Sequence, residues 1–453
     1  MSVNLQKYRY LEHILPESNR KKLVLLTGAR QTGKTTLARL KYPDLRYINL
    51  DAPENREAVR TISSTSWANA VGNAVIDEAQ KEPAVFEKVK YAYDEGSLSF
   101  SCLLGSSQIL LLKRVRESLA GRISVYELWP LMMSELIGDR SSPPPGPPLI
   151  DRLFSDVDFD LIFRDIPEIV FEGEDARCRE AESYLLQWGG MPALLPLSDE
   201  ERWKWLRDYE YTYLERDLGD LARLDDHDPF RTFQRLSALR SGKLLNYSEL
   251  ARDASVGTDT ARRYLEYLRL SYQTLLLQPY RRNITSSVIK TPKLYWLDIG
   301  LLRVLSGWRE NLSGEIYETM VVGEIIKWMK SVQRQEDLFF YRTRSGLEMD
   351  LLLPTSRGII GMEIKARKTL AHTDLRAMRE VAAALGKTWR GGLVIYLGDS
   401  LKKIAEPNIW SVPSRRLLTP AESHSPPAGK KNVKEKGRTD SPQRFRKIPG
   451  TKG

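Results

Sequence analysis

Gly28-Ala29-Arg30-Gln31-Thr32-Gly33-Lys34-Thr35 fits G-x-x-x-x-G-K-[ST] at every fixed position, and no other stretch constrains the fold as much. A short apolar run, Leu23 to Leu26, precedes it and reads as a buried strand. Thr36-Leu37-Ala38-Arg39-Leu40 follows and reads as the opening of a helix. In such a strand–loop–helix unit the two glycines let the backbone curl until its N–H groups face an anion. The helix N-terminus adds its positive dipole end. The loop from Gly28 to Thr36 is therefore expected to cradle the phosphates of ATP, with Lys34 reaching the β- and γ-phosphates and the Thr35 hydroxyl ligating Mg²⁺.

A second half of the same chemistry lies downstream. Ala74-Val75-Ile76 is a short buried-strand signal ending in Asp77-Glu78, and ligands of open α/β sheets bind at the carboxyl ends of strands. Asp77 is expected to hold Mg²⁺ through its water shell, and Glu78 to polarise the attacking water. The apolar run Phe100 to Leu104 ends in Gly105-Ser106-Ser107, where either serine could sense the γ-phosphate.

These motifs, followed by Ser118-Leu119-Ala120-Gly121-Arg122, Leu128-Trp129-Pro130-Leu131 and Ser134-Glu135-Leu136, occur in one order. So arranged, the chain resembles the prokaryotic predicted ATPases of the AAA superfamily that carry a C-terminal domain of poorly defined function. The resemblance runs from about Lys21 to Tyr396. It implies ATP hydrolysis, with Arg122 an arginine-finger or sensor candidate. An arginine after a short turn is as often a plain surface residue. Gln108 stands where that family often shows a serine run, which leaves the sensor atom open between Ser106 and Ser107.

Composition narrows the setting. No segment approaches the run of about 20 apolar residues that a membrane helix needs. The N-terminal stretch mixes charges with apolar residues and has no signal-peptide core. Cys102 and Cys178 lie far apart without metal spacing. A cytoplasmic location follows as the expectation, with no membrane partner. From Thr419 onward nine Lys/Arg face three acids, so this tail supplies +6 of the net +10 and cannot bury enough surface to fold alone. It reads equally as a nucleic-acid arm or a solubilising extension.

The expected architecture is α/β throughout. Residues 1–142 form a doubly wound, AAA-like P-loop core and 143–175 a Pro-rich and acidic linker. Residues 176–240 read as helical, with Tyr184, Leu185, Trp188, Tyr209, Tyr213 and Leu214 as apolar anchors, and the resemblance implies that they form a helical lid. Residues 241–305 carry helix–turn–helix spacing with a wing. Ser248 caps a first helix, Ser255-Val256-Gly257 turns, and a helix from Thr258 to Leu268 buries Ala261, Tyr264, Leu265 and Leu268. Arg262, Arg263 and Arg269 line its other face, so DNA is a candidate partner, and a protein–protein spacer is the equal alternative.

Residues 306–413 are expected to form a restriction-endonuclease-like domain, ahead of a disordered basic tail over 414–453. Asp350 enters one strand, and Glu363-Ile364-Lys365 lies on the strand after a turn at Ser356-Arg357-Gly358. Across such a hairpin Asp350 and Glu363 can converge on one Mg²⁺, with Lys365 on the same face as Glu363. Glu318 resembles the helical carboxylate of that fold, with Glu324 in reserve. Lys290-Thr291-Pro292-Lys293-Leu294-Tyr295 and Asp298-Ile299-Gly300-Leu301-Leu302 precede the set and belong to the resemblance. The leading expectation is an ATP-hydrolysing machine acting on DNA or a partner held by its C-terminal half. A nucleotide-gated DNA-binding regulator without turnover, and a Mg²⁺-dependent nuclease regulated by ATP, are the alternatives. A homo-oligomer is a further candidate, and if Arg122 acts in trans ATP is expected to promote self-association.

Overall fold

The computed structural model describes residues 6–105, 119–170, 172–213, 228–281, 289–308 and 312–421. Five short aliphatic runs form one parallel sheet: β1 (Lys22–Thr27), β2 (Arg46–Asn49), β3 (Ala74–Asp77), β4 (Phe100–Gly105) and β5 (Ile123–Glu127), in the order β2-β3-β4-β1-β5. The residues of β1 alternate between two cores. Leu23 and Leu25 pack with Val85, Phe86 and Val89 of the helix Ala84–Asp94, and Val24 and Leu26 pack with Leu37 and Ala38 of the helix Lys34–Lys41. A parallel sheet covered on both faces needs this near-continuous apolar strand, as the sequence suggested. Thr27 is in register with Gly105 and Glu127, and Asn49 with Asp77, so the strands' carboxyl ends line one edge.

The stretch expected to be a linker is built into the core instead. Leu149, Ile150, Leu153, Phe154, Phe159, Ile162 and Phe163 are all buried in the largest hydrophobic cluster. The acidic residues between them hide this apolar spacing in the sequence. Beyond it run the helices Glu172–Trp188 and Asp199–Tyr213, where Leu185, Trp188 and Tyr209 are buried as expected. Leu214 lies outside the described residues.

The helix Asp228–Ala238, expected to end the lid, packs on the helices Tyr247–Asp253 and Thr258–Leu270. Asn246, not Ser248, caps the second of these, its side chain accepting from Glu249 N at 3.2 Å. The turn's left-handed residue is Ser255 at φ +55°, while Gly257 is extended. Ala261, Tyr264, Leu265 and Leu268 face inward as their spacing required.

These helices are joined by β6 (Lys243–Leu244), β7 (Thr274–Pro279) and β8 (Lys293–Trp296), with β8 antiparallel to both β6 and β7. The sheet continues through β9 (Phe339–Arg342), β10 (Glu348–Thr355), β11 (Gly358–Lys365), β12 (Trp389–Tyr396), β13 (Lys402–Ala405) and β14 (Ile409–Pro413). Its nine strands run in the order β13-β14-β12-β11-β10-β9-β7-β8-β6. The helices Gly314–Ser331 and Arg376–Leu385 pack on β11.

The chain stays ordered past Pro413, where the tail was expected to begin. Ser414–Leu417 is a helical turn whose Arg415 and Arg416 are almost wholly buried, and Pro420 bridges Pro148. Residues 422–453 lie outside the described residues. No helix among the described residues is long and apolar enough to cross a membrane.

Candidate functional site

Gly28 sits at φ +151°, and a Cβ there would stand 2.1 Å from the Leu128 carbonyl oxygen, so only glycine fits. Gln31 and Gly33 also take positive φ, and Gly33 caps the helix Lys34–Lys41. The loop closes on itself, with Thr32 Oγ1 donating to Ala29 O at 2.9 Å. Lys34 Nζ donates to the carbonyls of Ala29 (2.7 Å) and Gly28 (3.0 Å). The lysine is thus folded back over the loop and nearly buried.

Across the cavity Thr35 Oγ1 donates to Asp77 Oδ2 at 2.6 Å, and Tyr47 donates to the same oxygen at 2.7 Å. Asp77 Oδ1 accepts Glu78 N at 2.9 Å. Glu78 follows at φ +54°, and Gln80 Nε2 donates to its Oε2 at 2.5 Å. A hydroxyl and a carboxylate brought together from two elements are the hard oxygen donors Mg²⁺ takes, so these residues fit that ion. The cavity measures about 470 Å³, within the range of ligand pockets. Arg30, Gln31, Gly33, Lys34, Thr35, Thr36, Asp77 and Glu78 line it, joined by Pro192 and Ala193 from beyond the helix Glu172–Trp188.

Of the other expected residues, Ser106 and Ser107 lie outside the described residues. Arg122 does not line the cavity; it is partly exposed and pairs with Asp94 at 2.6 Å. Sequence reasoning missed Tyr47, Pro192 and the groups that brace the loop from behind. Arg9 donates to Thr32 O (3.0 Å), Trp129 O (2.5 Å) and Glu135 Oε1 (3.2 Å). Glu135 also accepts from Tyr10 N and Met132 N. Tyr272 packs edge-on to Trp129 and donates to Glu127 at 3.2 Å. Asp298 is buried and accepts from Gly190 N at 2.9 Å, two residues before Pro192.

A second polar group gathers far along the chain. The register Leu351↔Met362 puts Asp350 beside Glu363, and Asp350 Oδ2 accepts Ile364 N at 2.8 Å. Lys365 pairs with Glu363 at 2.6 Å, as its spacing suggested. Glu318 joins them, held by Tyr295 at 2.6 Å and Lys293 at 3.1 Å. Glu324 does not; it accepts Met133 N at 2.6 Å and pairs with Lys327. Burial, with Asp350 adding to it and Lys293 opposing, pushes Glu318 up to about 7. Burial and Asp350, opposed by Lys365, push Glu363 up to about 8. Burial also raises Asp350 against the pull of Lys293 and Lys365. For Lys293 burial acts downward, and Glu318, Asp350 and Glu348 together more than reverse it. Among the described residues no three His, Cys, Asp or Glu side chains meet at a spacing that could hold a metal ion.

Residues 20–137 match the AAA domain family model, and the five-stranded parallel sheet resembles a P-loop ATPase core. Residues 179–312 and 313–417 match two domains of unknown function, DUF8612 and DUF4143. The chain is 29% identical over 406 residues to the uncharacterized proteins Mb2031c of Mycobacterium bovis and Rv2008c of Mycobacterium tuberculosis, covering 88% of this chain and 82% of each relative. Among solved structures, the Walker-type ATPase PABY2304 of Pyrococcus abyssi aligns with a TM-score of 0.39 at 17% identity, over 65% of this chain and 94% of its own. The STAND protein PH0952 of Pyrococcus horikoshii, with a tetratricopeptide repeat sensor, aligns with a TM-score of 0.25 at 12% identity, over 73% and 47%.

Proposed function

We propose that this chain binds ATP with Mg²⁺ and hydrolyses it, and that the cycle acts on DNA or a protein partner held by the C-terminal half. The reading is carried by the Thr35–Asp77 contact, made in the same cavity as Lys34 and Glu78. Incoming phosphates would draw Lys34 off the Gly28 and Ala29 carbonyls and free the loop's N–H groups to face the anion. Mg²⁺ bound at Thr35 and Asp77 would offset phosphate charge. Glu78, turned by its left-handed backbone and steadied by Gln80, polarises the attacking water. Three helices followed by the β7–β8 hairpin support a winged helix in the C-terminal half, with Arg262 and Arg263 on the outer face of the third helix, Thr258–Leu270.

The test is ATP binding and turnover, with and without DNA. Lys34→Ala should lose tight binding, because the γ-phosphate loses its fixed cation. Glu78→Gln should keep binding and lose turnover. A Glu78 variant hydrolysing at the parental rate would remove that residue as base.

A further inference from the structure

The Lys290–Tyr295 motif has no part in the nucleotide site, yet one of its side chains stands at the centre of the C-terminal acids. Lys293, on β8, is 3% exposed at its side chain. Its Nζ lies 2.7 Å from Glu348, 3.1 Å from Glu318 and 3.9 Å from Asp350. Tyr295, two residues on and so on the same face of the strand, donates to Glu318. One ammonium thus meets carboxylates from the helix Gly314–Ser331 and from β10, both outside its own hairpin. Opposite, Glu363 has one oxygen held by Lys365, while its other oxygen, Oε2, is buried with no partner.

We propose that Lys293 is the resident cation of this acid cluster: while β8 is docked, its ammonium takes the central position that a divalent metal would need, and the carboxylates bind strand rather than ion. Three observations support this together. The ammonium is within ion-pair distance of three acids on two elements. The acids do not by themselves form a three-ligand cage. The unpartnered Glu363 oxygen is left as a donor with nothing to hold. Without Lys293, buried Asp350 and Glu363 and half-buried Glu318 and Glu348 would crowd like charges that Lys365 and Arg342 offset only at Glu363 and Glu348, and a divalent cation is the simplest group to relieve them. The inference is independent of ATP turnover. It makes Lys293 the residue that decides whether the nuclease-like acids take metal.

Mn²⁺ binding to the full-length, nucleotide-free protein tests it, read from the EPR signal of the free ion. K293Q should gain one Asp350-dependent Mn²⁺ that the unaltered protein does not bind. K293R should show no gain, and K293Q/D350N should lose it. Any ion at Asp77 is common to all four proteins and cancels. An Asp350-dependent Mn²⁺ site in the unaltered protein overturns the proposal, and so does a K293Q protein that still binds ATP yet gains no ion. Should K293Q fail to fold, the unaltered protein against D350N decides alone: equal Mn²⁺ binding supports the resident lysine, and a lost ion refutes it. ATP hydrolysis by the same proteins is scored separately, so failure of one reading leaves the other standing.

Discussion

Replacing Arg9 with methionine would test whether the loop's stiffness comes from behind it. Glu135 is 1% exposed, and Arg9 is its cationic partner at 3.2 Å. Removing one member of a buried pair leaves an uncompensated charge, which costs about 3–5 kcal/mol. The Thr32 and Trp129 carbonyls lose their donor as well, so the cost should lie toward the upper end of that range. Burial already raises the Glu135 pKa, with Arg9 opposing it. A carboxylate raised in the folded state contributes stability that is full below its unfolded value and lost as pH rises through its folded value. Without Arg9 the folded value climbs further, so the variant's deficit should be small near pH 5 and largest near pH 8. Urea unfolding at both pH values, followed on the transition that ATP shifts, measures this, since a multidomain chain has more than one transition. The Arg9→Met/Glu135→Gln double variant should recover about half the loss or more. If the single costs simply add, the two residues do not work as a pair and the argument fails.

Gly28→Ala should weaken ATP binding by roughly tenfold or more, since its Cβ has no room beside the Leu128 carbonyl; a fluorescent-nucleotide titration at parental affinity would reject this. Glu363, raised to about 8, should make the parent lose stability as pH rises from about 5 to about 8.5. Glu363→Gln should flatten that slope by on the order of 2–4 kcal/mol, and parallel unfolding curves at the two pH values would contradict it. Arg122→Ala should leave the melting temperature unchanged, because its pair with Asp94 is exposed. If Arg122 acts in trans, its mixture with Glu78→Gln protein should regain ATPase activity, and a mixture no faster than either alone excludes that role.

The loop was legible because its chemistry demands fixed residue types at adjacent positions, and Thr35, Asp77 and Glu78 meet where the motifs suggested. Tyr47, Arg9 and Pro192 were not legible. Each reaches the site from a remote segment by a contact that only the folded chain makes, and no spacing announces it. The 149–166 stretch hid its core for a different reason: exposed Asp156, Asp158 and Asp165 are interspersed with buried Leu153, Phe154, Phe159, Ile162 and Phe163, and composition averages the two. Nothing in the sequence marks Lys293 as buried among acids, since a lysine on a strand ordinarily reads as solvated.

The buried end of the described chain has a consequence for how the molecule can move. Arg416 donates to the carbonyls of Pro167 (2.5 Å) and Glu168 (2.9 Å), and Arg415 reaches Asp175 and the Gly398 carbonyl. Tyr317 and Glu182 meet at Ser414 from either side. These contacts work like a buckle, fastening the chain some 250 residues on to the segment that leaves the ATPase sheet. The polypeptide between is a closed belt, so the nine-stranded sheet cannot swing away as a bead on a tether. A displacement starting near Pro167 reaches β12 and β14 through two guanidinium groups, bypassing the three-helix unit. Cutting the chain at Pro413 would open the buckle and take from buried Asp175 and Glu182 their contacts with Arg415 and Ser414.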